Sequence, residues 1–208
     1  MTASSLPYHP YAFPRSLPVT LYATLITLLA GASLAALALA FALAVALMVP
    51  STRAAFVEGF VGRAGHPIGW AWGVALIASA GSLYLSEIVG FVPCLFCWYQ
   101  RIAMYPLVLV LGVGMLRGDA SVWRYALPLP VVGLLIAAYH VTIQLQPSMD
   151  VGVCTEGVSC SARYLAVFGF VSIPVMAGAG FLLVAVLMAW VRLIERAETW
   201  PDEEEGGR

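Results

Sequence analysis

Four cysteines, arranged as two close pairs, are the residues of this sequence with the clearest capacity for chemistry. Cys94 and Cys97 are separated by two residues, and Cys154 and Cys160 enclose five. Close thiol pairs form reversible disulfides or bind metal ions, according to the compartment in which they lie. The two pairs therefore predict a thiol–disulfide redox centre, with a structural disulfide and a zinc site as the alternatives.

The Cys94-Cys97 pair follows Pro93, a residue that suits the first turn of a helix. Unpaired backbone N–H groups at a helix start favour an anion, so a thiolate is stabilised there. Arg101 follows Cys97 by four residues and so projects from the same helix face. We expect Cys97 to be the more acidic thiol, because an adjacent positive charge lowers a thiol pKa. The next residue is not histidine, which excludes covalent haem attachment.

The second pair, Cys154 and Cys160, lies in a stretch that carries Pro147, Gly152 and Gly157. Closing so short a loop removes little chain entropy, so a purely stabilising disulfide is poorly motivated and disulfide exchange is favoured. A zinc ion would need four ligands from both pairs, but thiols on an oxidising side of a membrane form disulfides. We predict no metal.

The composition shows what kind of elements must position these cysteines. The chain has 208 residues, of which 62% are hydrophobic and 10% charged, far from the balance of a soluble domain. Stretches long and apolar enough to cross a bilayer occupy residues 19–49, 68–91, 94–116, 122–145 and 164–193. The sequence predicts an all-α integral membrane protein, in which Pro106, Pro128, Pro130 and Pro174 mark kinks within spans.

The two ends of the chain carry no predicted function. Residues 1–18 are proline-rich and irregular, and residues 197–208 form an acidic tail. A cleaved signal peptide is the alternative for residues 19–49, but that apolar stretch is far longer than a signal peptide requires. The formal net charge of -1, without a basic run, excludes nucleic acid as a partner.

The arginines near the span ends predict the orientation. Six arginines fall on one side of the five spans: Arg53, Arg63, Arg117, Arg124, Arg192 and Arg196. Three fall on the other side: Arg15, Arg101 and Arg163. The richer side is assigned to the cytoplasm, which places the N-terminus and both cysteine pairs on the outer face and the acidic tail inside.

Several polar residues lie near the outer ends of the spans, where ionisable groups are a functional hypothesis by default. They are Glu87, Gln100, Arg101, His140 and Gln144. The plain alternatives are that Glu87 pairs with Arg101 and that His140 is a hydrogen-bonded packing residue.

The sequence resembles the disulfide bond formation protein B (DsbB) family, and most closely its branch with a short second cysteine loop, often called BdbC. The resemblance covers residues 68–190 and rests on Glu87, Pro93-Cys94-Leu95-Phe96-Cys97-Trp98-Tyr99-Gln100-Arg101, Tyr105-Pro106, Tyr139-His140, Cys154, Cys160 and Phe168-Gly169-Phe170. It implies a four-helix transmembrane bundle over residues 68–193 in the bacterial cytoplasmic (inner) membrane. The span over residues 19–49 is additional to that bundle.

The resemblance also implies an activity. Such proteins reoxidise an extracytoplasmic thioredoxin-like thiol oxidase (DsbA- or BdbD-like) and pass the electrons to ubiquinone or menaquinone. By the resemblance, Cys94 and Cys97 lie next to the quinone with Arg101 beside them, and Cys154 with Cys160 meets the partner. Glu87, Gln100 and His140 are the further candidates for quinone binding.

Two other interpretations remain from the residues. Vitamin K epoxide reductase has similar parts, but there the loop pair precedes the CxxC pair. A non-enzymatic membrane scaffold or transporter, with structural disulfides or a metal-binding cysteine cluster, is the rival from another class. No pair of spans carries polar groups near the bilayer midplane, which weighs against transport.

Overall fold

A computed structural model describes residues 19–63, 67–150, 152, 154 and 158–199. The irregular segment 1–18 and the acidic residues 202–205 lie outside these ranges. The helices, in chain order, are α1 (Val19–Met48), α2 (Pro50–Arg63), α3 (Pro67–Leu83), α4 (Leu95–Arg117), α5 (Trp123–Ala126), α6 (Pro128–Leu145) and α7 (Ile173–Thr199). A π-helical turn, Tyr84–Ile88, extends α3, and the described residues form no strand beyond one isolated β-bridge.

Five helical segments are long and apolar enough to cross a membrane, as the sequence predicts. They are Val19–Met48, Pro67–Ile88, Leu95–Arg117, Ala120–Leu145 and Ile173–Arg196. The first four begin and end within a few residues of the predicted bounds. The all-α fold with five candidate spans is therefore confirmed.

The predicted start of the last span, at residue 164, is wrong. Residues 164–172 form a turn closed by a pair of backbone hydrogen bonds between Val167 and Val171, at 3.1 and 2.9 Å. Phe168 and Gly169 adopt φ of 54° and 81°, a left-handed conformation that a right-handed helix cannot contain. Helix α7 therefore begins at Ile173, and it continues to Thr199, into the segment predicted as tail.

The prolines differ in their positions. Pro128 and Pro130 lie inside the span Ala120–Leu145, at the one-residue break between α5 and α6, where the sequence predicts a kink. Pro174 is the second residue of α7, so it marks a helix start and not a kink. Pro106 lies inside helix α4.

Four of the helices close a bundle in which each packs against two neighbours, in the order α3, α4, α6, α7 and back to α3. Fully buried side chains such as Leu107, Leu111, Phe181 and Val184 fill its centre. Helix α1 packs on the outside of α7, where the indole Nε1 of Trp190 donates a hydrogen bond to the carbonyl of Leu43 at 3.2 Å. The additional helix is thus docked onto the bundle by both apolar and polar contacts.

Helix α2 was not predicted, since it is too polar and too short to register as a span. It turns back after α1, and Phe56 packs against Trp190 with ring centroids 5.4 Å apart. At the same end of the bundle, Arg124 forms an ion pair with Glu195 at 3.1 Å. These contacts fix the end of the molecule opposite to the cysteines.

Candidate functional site

The CxxC pair stands at the start of α4, as the position of Pro93 predicts. Cys94 is the N-cap residue and is 5% exposed, and Cys97 lies in the first turn and is half-buried. Both are free thiols whose Sγ atoms lie 2.9 Å apart. The pair is therefore preorganised to form and break a disulfide at a helix N-terminus, where the exposed backbone N–H groups stabilise a thiolate.

His140, on α6, links this pair to the second one. It is 2% exposed, and its Nε2 atom lies 3.7 Å from Cys94 Sγ and 3.1 Å from the carbonyl oxygen of Cys160. Its Nδ1 atom lies 3.4 Å from the amide nitrogen of Gln100. An amide NH₂ can only donate, so Nδ1 accepts and the proton of the neutral imidazole lies on Nε2. That N–H group donates to Cys160 and lies beside the sulfur of Cys94.

The second pair is joined as the Cys154–Cys160 disulfide. Cys160 is completely buried in an apolar cluster with Cys94, Phe96 and Ile143, whereas Cys154 is only half-buried at the edge of that cluster. Cys160 thus packs in the same cluster as Cys94, and Cys154 is the more exposed residue of the loop disulfide. The structure brings together two cysteine pairs that are more than 50 residues apart in the sequence.

Arg101 is held by a residue that the sequence analysis missed. Its Nε atom donates to Ser82 Oγ at 3.0 Å, and its Nη2 atom donates to the Ser82 carbonyl at 3.1 Å. Tyr105 also donates to Ser82 Oγ, at 3.2 Å, and the guanidinium lies 5.2 Å from the ring centroid of Trp98. Ser82 therefore fixes the direction of Arg101. A lone serine in an apolar span gives no sequence signal of this role.

The pairing considered between Glu87 and Arg101 is not formed. Glu87 is exposed and accepts a hydrogen bond from Ser86 Oγ at 2.9 Å. It lies in the π-helical turn Tyr84–Ile88, whose wider winding shifts each side chain around the helix axis relative to an α-helix.

The two thiols of the CxxC pair have different surroundings. The hydrogen bond from Cys97 and the nearby His140 lower the pKa of Cys94, which precedes the membrane-spanning part of α4, from 9.0 to about 4. Arg101 was expected to act on Cys97: its hydrogen bonds go to Ser82, while its charge lies at the same end of the large cavity as Cys97. The sequence analysis did not foresee the histidine that the fold places next to Cys94, and which thiol of the pair is the more acidic stays a prediction.

Two cavities meet at the CxxC pair. A small one of about 10 Å³, roughly the space of a single water molecule, lies between Cys94, Cys97, His140 and the residues that follow the loop disulfide. A large one of about 890 Å³, within the range of small-molecule sites, runs between α1, α3, α4 and α7. Its polar end is lined by Ser82, Cys97, Gln100, Arg101 and Tyr105.

Of the predicted cofactor-binding residues, the structure places Gln100 and Arg101 at the large cavity and His140 at the small one. Glu87 lines neither. The ligand atoms of Cys94, Cys97 and His140 all lie within 4.8 Å of one another, so the reduced pair and the histidine also have the spacing of metal ligands. The large cavity suits a different ligand, because it joins a thiol and a guanidinium to a long apolar channel.

Comparison with known proteins also indicates a protein of disulfide bond formation. The family model described as "Disulfide bond formation protein DsbB" matches residues 67–191. "Probable disulfide formation protein C 2" of Bacillus anthracis is 46% identical over 131 residues, which cover 63% of this chain and 93% of that protein. "Disulfide bond formation protein C" of Bacillus subtilis (strain 168) is 46% identical over 122 residues, covering 58% and 88%.

A relative outside Bacillus is also similar. "Probable disulfide formation protein" of Metapseudomonas resinovorans is 38% identical over 123 residues, which cover 58% of this chain and 85% of that protein. No solved structure matches the chain at a significant level. The family match spans the bundle α3 to α7 and begins after α1 and α2.

Proposed function

The chain belongs to the DsbB family of disulfide bond formation proteins, which makes it a multi-pass membrane protein and a disulfide-forming oxidoreductase, and from this premise we propose that it oxidises a thioredoxin-like dithiol protein at the expense of a membrane quinone. One observation carries the proposal. Cys160 and Cys94 share a buried cluster, while Cys97, the partner of Cys94, lines the large cavity. The thiols thus form a continuous route from the loop to the cavity.

The first step takes place at the loop disulfide. A thiolate of the partner attacks the more accessible sulfur, that of Cys154, and Cys160 leaves as a thiolate. Cys160 then attacks Cys94 in the Cys94–Cys97 disulfide, and Cys97 leaves as a thiolate at the start of α4. Burial of Cys160 beside Cys94 supports this order, since exchange requires contact between the attacking and attacked sulfurs.

The second step resolves both mixed disulfides. The other thiol of the partner attacks its own sulfur in the bond to Cys154, which completes the partner's disulfide and releases Cys154. Cys154 attacks Cys160, which restores the loop disulfide and releases Cys94. The lowered pKa of Cys94 supports this step, because a more acidic thiol is a better leaving group. The electron pair of the partner now resides on Cys94 and Cys97.

A quinone bound in the large cavity would accept that electron pair and two protons as the Cys94–Cys97 disulfide reforms. The chain's own residues fit this task. Cys97 and Arg101 line the same end of the cavity, so the guanidinium, held by Ser82, would stabilise negative charge that develops on a quinone ring bound there. Gln100 lines the same end and can donate a hydrogen bond there.

Proton transfer can take place at the small cavity, next to Cys94. His140 has its Nε2–H group beside Cys94 and lines the small cavity, so it can pass a proton to or from the sulfur or a water molecule there. Glu87 is exposed near the same level and remains a candidate for proton exchange with solvent. These roles need no group beyond those already described.

In the bacterial cytoplasmic membrane, the distribution of arginines supports an orientation with both cysteine pairs on the extracytoplasmic face. There the loop disulfide would meet a DsbA- or BdbD-like oxidase in an oxidising compartment. The rival scaffold, with a structural disulfide or a bound metal, lacks a reason for the large cavity at Cys97.

The proposal is tested by quinone reduction with purified full-length protein in lipid nanodiscs and a reduced thioredoxin-like protein as donor. We expect one quinol for each donor disulfide, with activity falling at least about a hundredfold in Cys160→Ser, because exchange loses its internal nucleophile. Val158→Ala, in the same loop, is the matched control and should keep its rate. Quinol formation at a near-normal rate by Cys160→Ser would overturn the two-pair relay.

A further inference from the structure

The large cavity extends far beyond the redox end, and α1 forms one of its long walls. The α1 residues that line it are Leu29, Ala32, Ser33, Ala35, Ala36, Leu39 and Leu43. From Leu29 to Leu43 the helix rises about 21 Å at 1.5 Å per residue, most of the thickness of a bilayer core. The opposite walls come from α3 and α7, including Trp72, Phe181 and Leu187.

Contacts near Leu29 and at Leu43 fix the position of α1, and the contact near Leu29 brings this wall to the redox end of the cavity. Leu29 lies opposite Gly81, where a Cβ atom would be 3.4 Å from the Leu29 side chain, and Gly81 precedes the anchor Ser82. At the far end, Leu43 is 2% exposed and receives the hydrogen bond from Trp190. The small side chains between these contacts keep α1 from filling the space.

Helix α1 precedes the stretch that matches the family, so this wall is an addition to the matched bundle. We propose that α1 converts the membrane-facing side of the quinone site into a channel that holds the polyprenyl tail of the quinone and thereby makes the enzyme selective for long-tailed quinones. This inference rests on the proposed function, since it concerns the substrate of the same site.

The physical advantage of such a wall is orientation. A polyprenyl tail gains little by moving from lipid to protein, because lipid chains are as apolar as leucine side chains. Packing against a fixed wall, however, restricts the tail to one path, which directs the ring toward Cys97 and Arg101. The occupant is a quinone and not a lipid acyl chain because the channel is continuous with the redox-active thiol.

The test uses a substitution that fills the channel away from the redox end. Ala36→Phe adds a ring about 10 Å along the helix from Leu29. We expect the KM for a long-tailed quinone to rise roughly tenfold. Overpacking an apolar binding site weakens the binding of its ligand by a factor of about 5 to 150. The KM for a short-tailed analogue should stay within about twofold.

The matched control is Ala38→Phe, the same substitution on an exposed position of α1 that does not line the cavity. It should change neither KM. Equal effects of Ala36→Phe on short and long tails, or no effect on either, would overturn the inference. Failure of the wild-type protein to reduce any quinone would instead contradict the proposed function, so the two failures are distinguishable.

A binding measurement independent of turnover completes the test. A quinone with a photoreactive diazirine at the end of its tail is irradiated with the purified full-length protein, and labelled peptides are identified by mass spectrometry. We expect labels on α1 between Leu29 and Leu43 that excess long-tailed quinone suppresses. Labels confined to α3 and α7, or labels that quinone does not displace but added phospholipid does, would contradict a quinone-tail channel.

Discussion

The Nε2 atom of His140 lies 3.7 Å from the Sγ atom of Cys94. The same N–H group donates to the backbone of Cys160, so one imidazole contacts both cysteine pairs. A buried histidine in this position stabilises the thiolate that must leave when the loop disulfide is restored. The contact places a hydrogen-bond donor beside the CxxC sulfur that shares a buried cluster with Cys160.

Removing the imidazole should raise the pKa of Cys94. In the reduced protein the Cys94 thiolate persists as the pH falls well below 9.0 and is lost only near pH 4, because the folded pKa is lowered. In His140→Leu the midpoint moves upward, and each unit of increase lowers the thiolate fraction below the midpoint about tenfold. The measurement is the pH profile of Cys94 alkylation, followed by mass spectrometry.

Thr142→Ala is the control for that experiment, because Thr142 lies on the same helix, lines neither cavity and hydrogen-bonds only the Ala138 carbonyl of its own helix. Its alkylation profile should match that of the wild type. An unchanged midpoint in His140→Leu would show that the histidine does not act on Cys94.

Ser82 should act as a positioning residue for Arg101. Ser82→Ala removes the hydroxyl that accepts from Arg101 and Tyr105, at a cost of about 0.5–1.5 kcal/mol per hydrogen bond. We expect the KM for quinone to rise by roughly three- to tenfold with a smaller change in kcat. Ser82→Thr, which keeps the hydroxyl, should restore the wild-type KM.

Thr142→Ala is a comparable loss of hydroxyl on α6, where the side chain bonds only to the carbonyl of its own helix. It should leave the KM unchanged. If Ser82→Thr were as impaired as Ser82→Ala, the effect would be one of packing and not of the hydrogen bond to Arg101.

The packing of α6 against α7 depends on the absence of a side chain at Gly133. A Cβ atom there would overlap the ring of Phe181, so the ring or helix α6 must shift to admit it. Gly133→Ala should therefore destabilise the bundle by about 1–3 kcal/mol, seen as a lower Tm. Gly31→Ala on α1, where an added Cβ meets nothing within 4 Å, should leave the Tm equal or slightly higher.

Hydropathy and cysteine spacing were sufficient to predict the membrane spans and the location of the redox pairs. Long apolar runs predict the five spans because the bilayer sets their length, and Pro93 predicts the helix start at the CxxC pair. The start of α7 was missed because the residues from Tyr164 to Ser172 are as apolar as a span. Only the left-handed φ of Phe168 and Gly169 shows that they form a turn.

The contacts within the site could not be predicted from one sequence, because they join residues on different helices. Arg101 and Ser82 are 19 residues apart, and His140 and Cys94 are 46 apart. Spacing rules apply along a single helix, so they related Arg101 only to Cys97 on its own helix. The packing of four helices decides instead which side chains meet.

The central claim is that Cys160 and Cys94 exchange disulfides directly, and it is tested by trapping the bond between them. In the Cys97→Ser, Cys154→Ser double variant the resolving thiols are absent, so the mixed disulfide cannot be released. After mild oxidation of the full-length protein in nanodiscs, mass spectrometry should find the peptides of Cys94 and Cys160 joined in most molecules. Two free thiols under conditions that fully oxidise the wild-type pairs would contradict the relay.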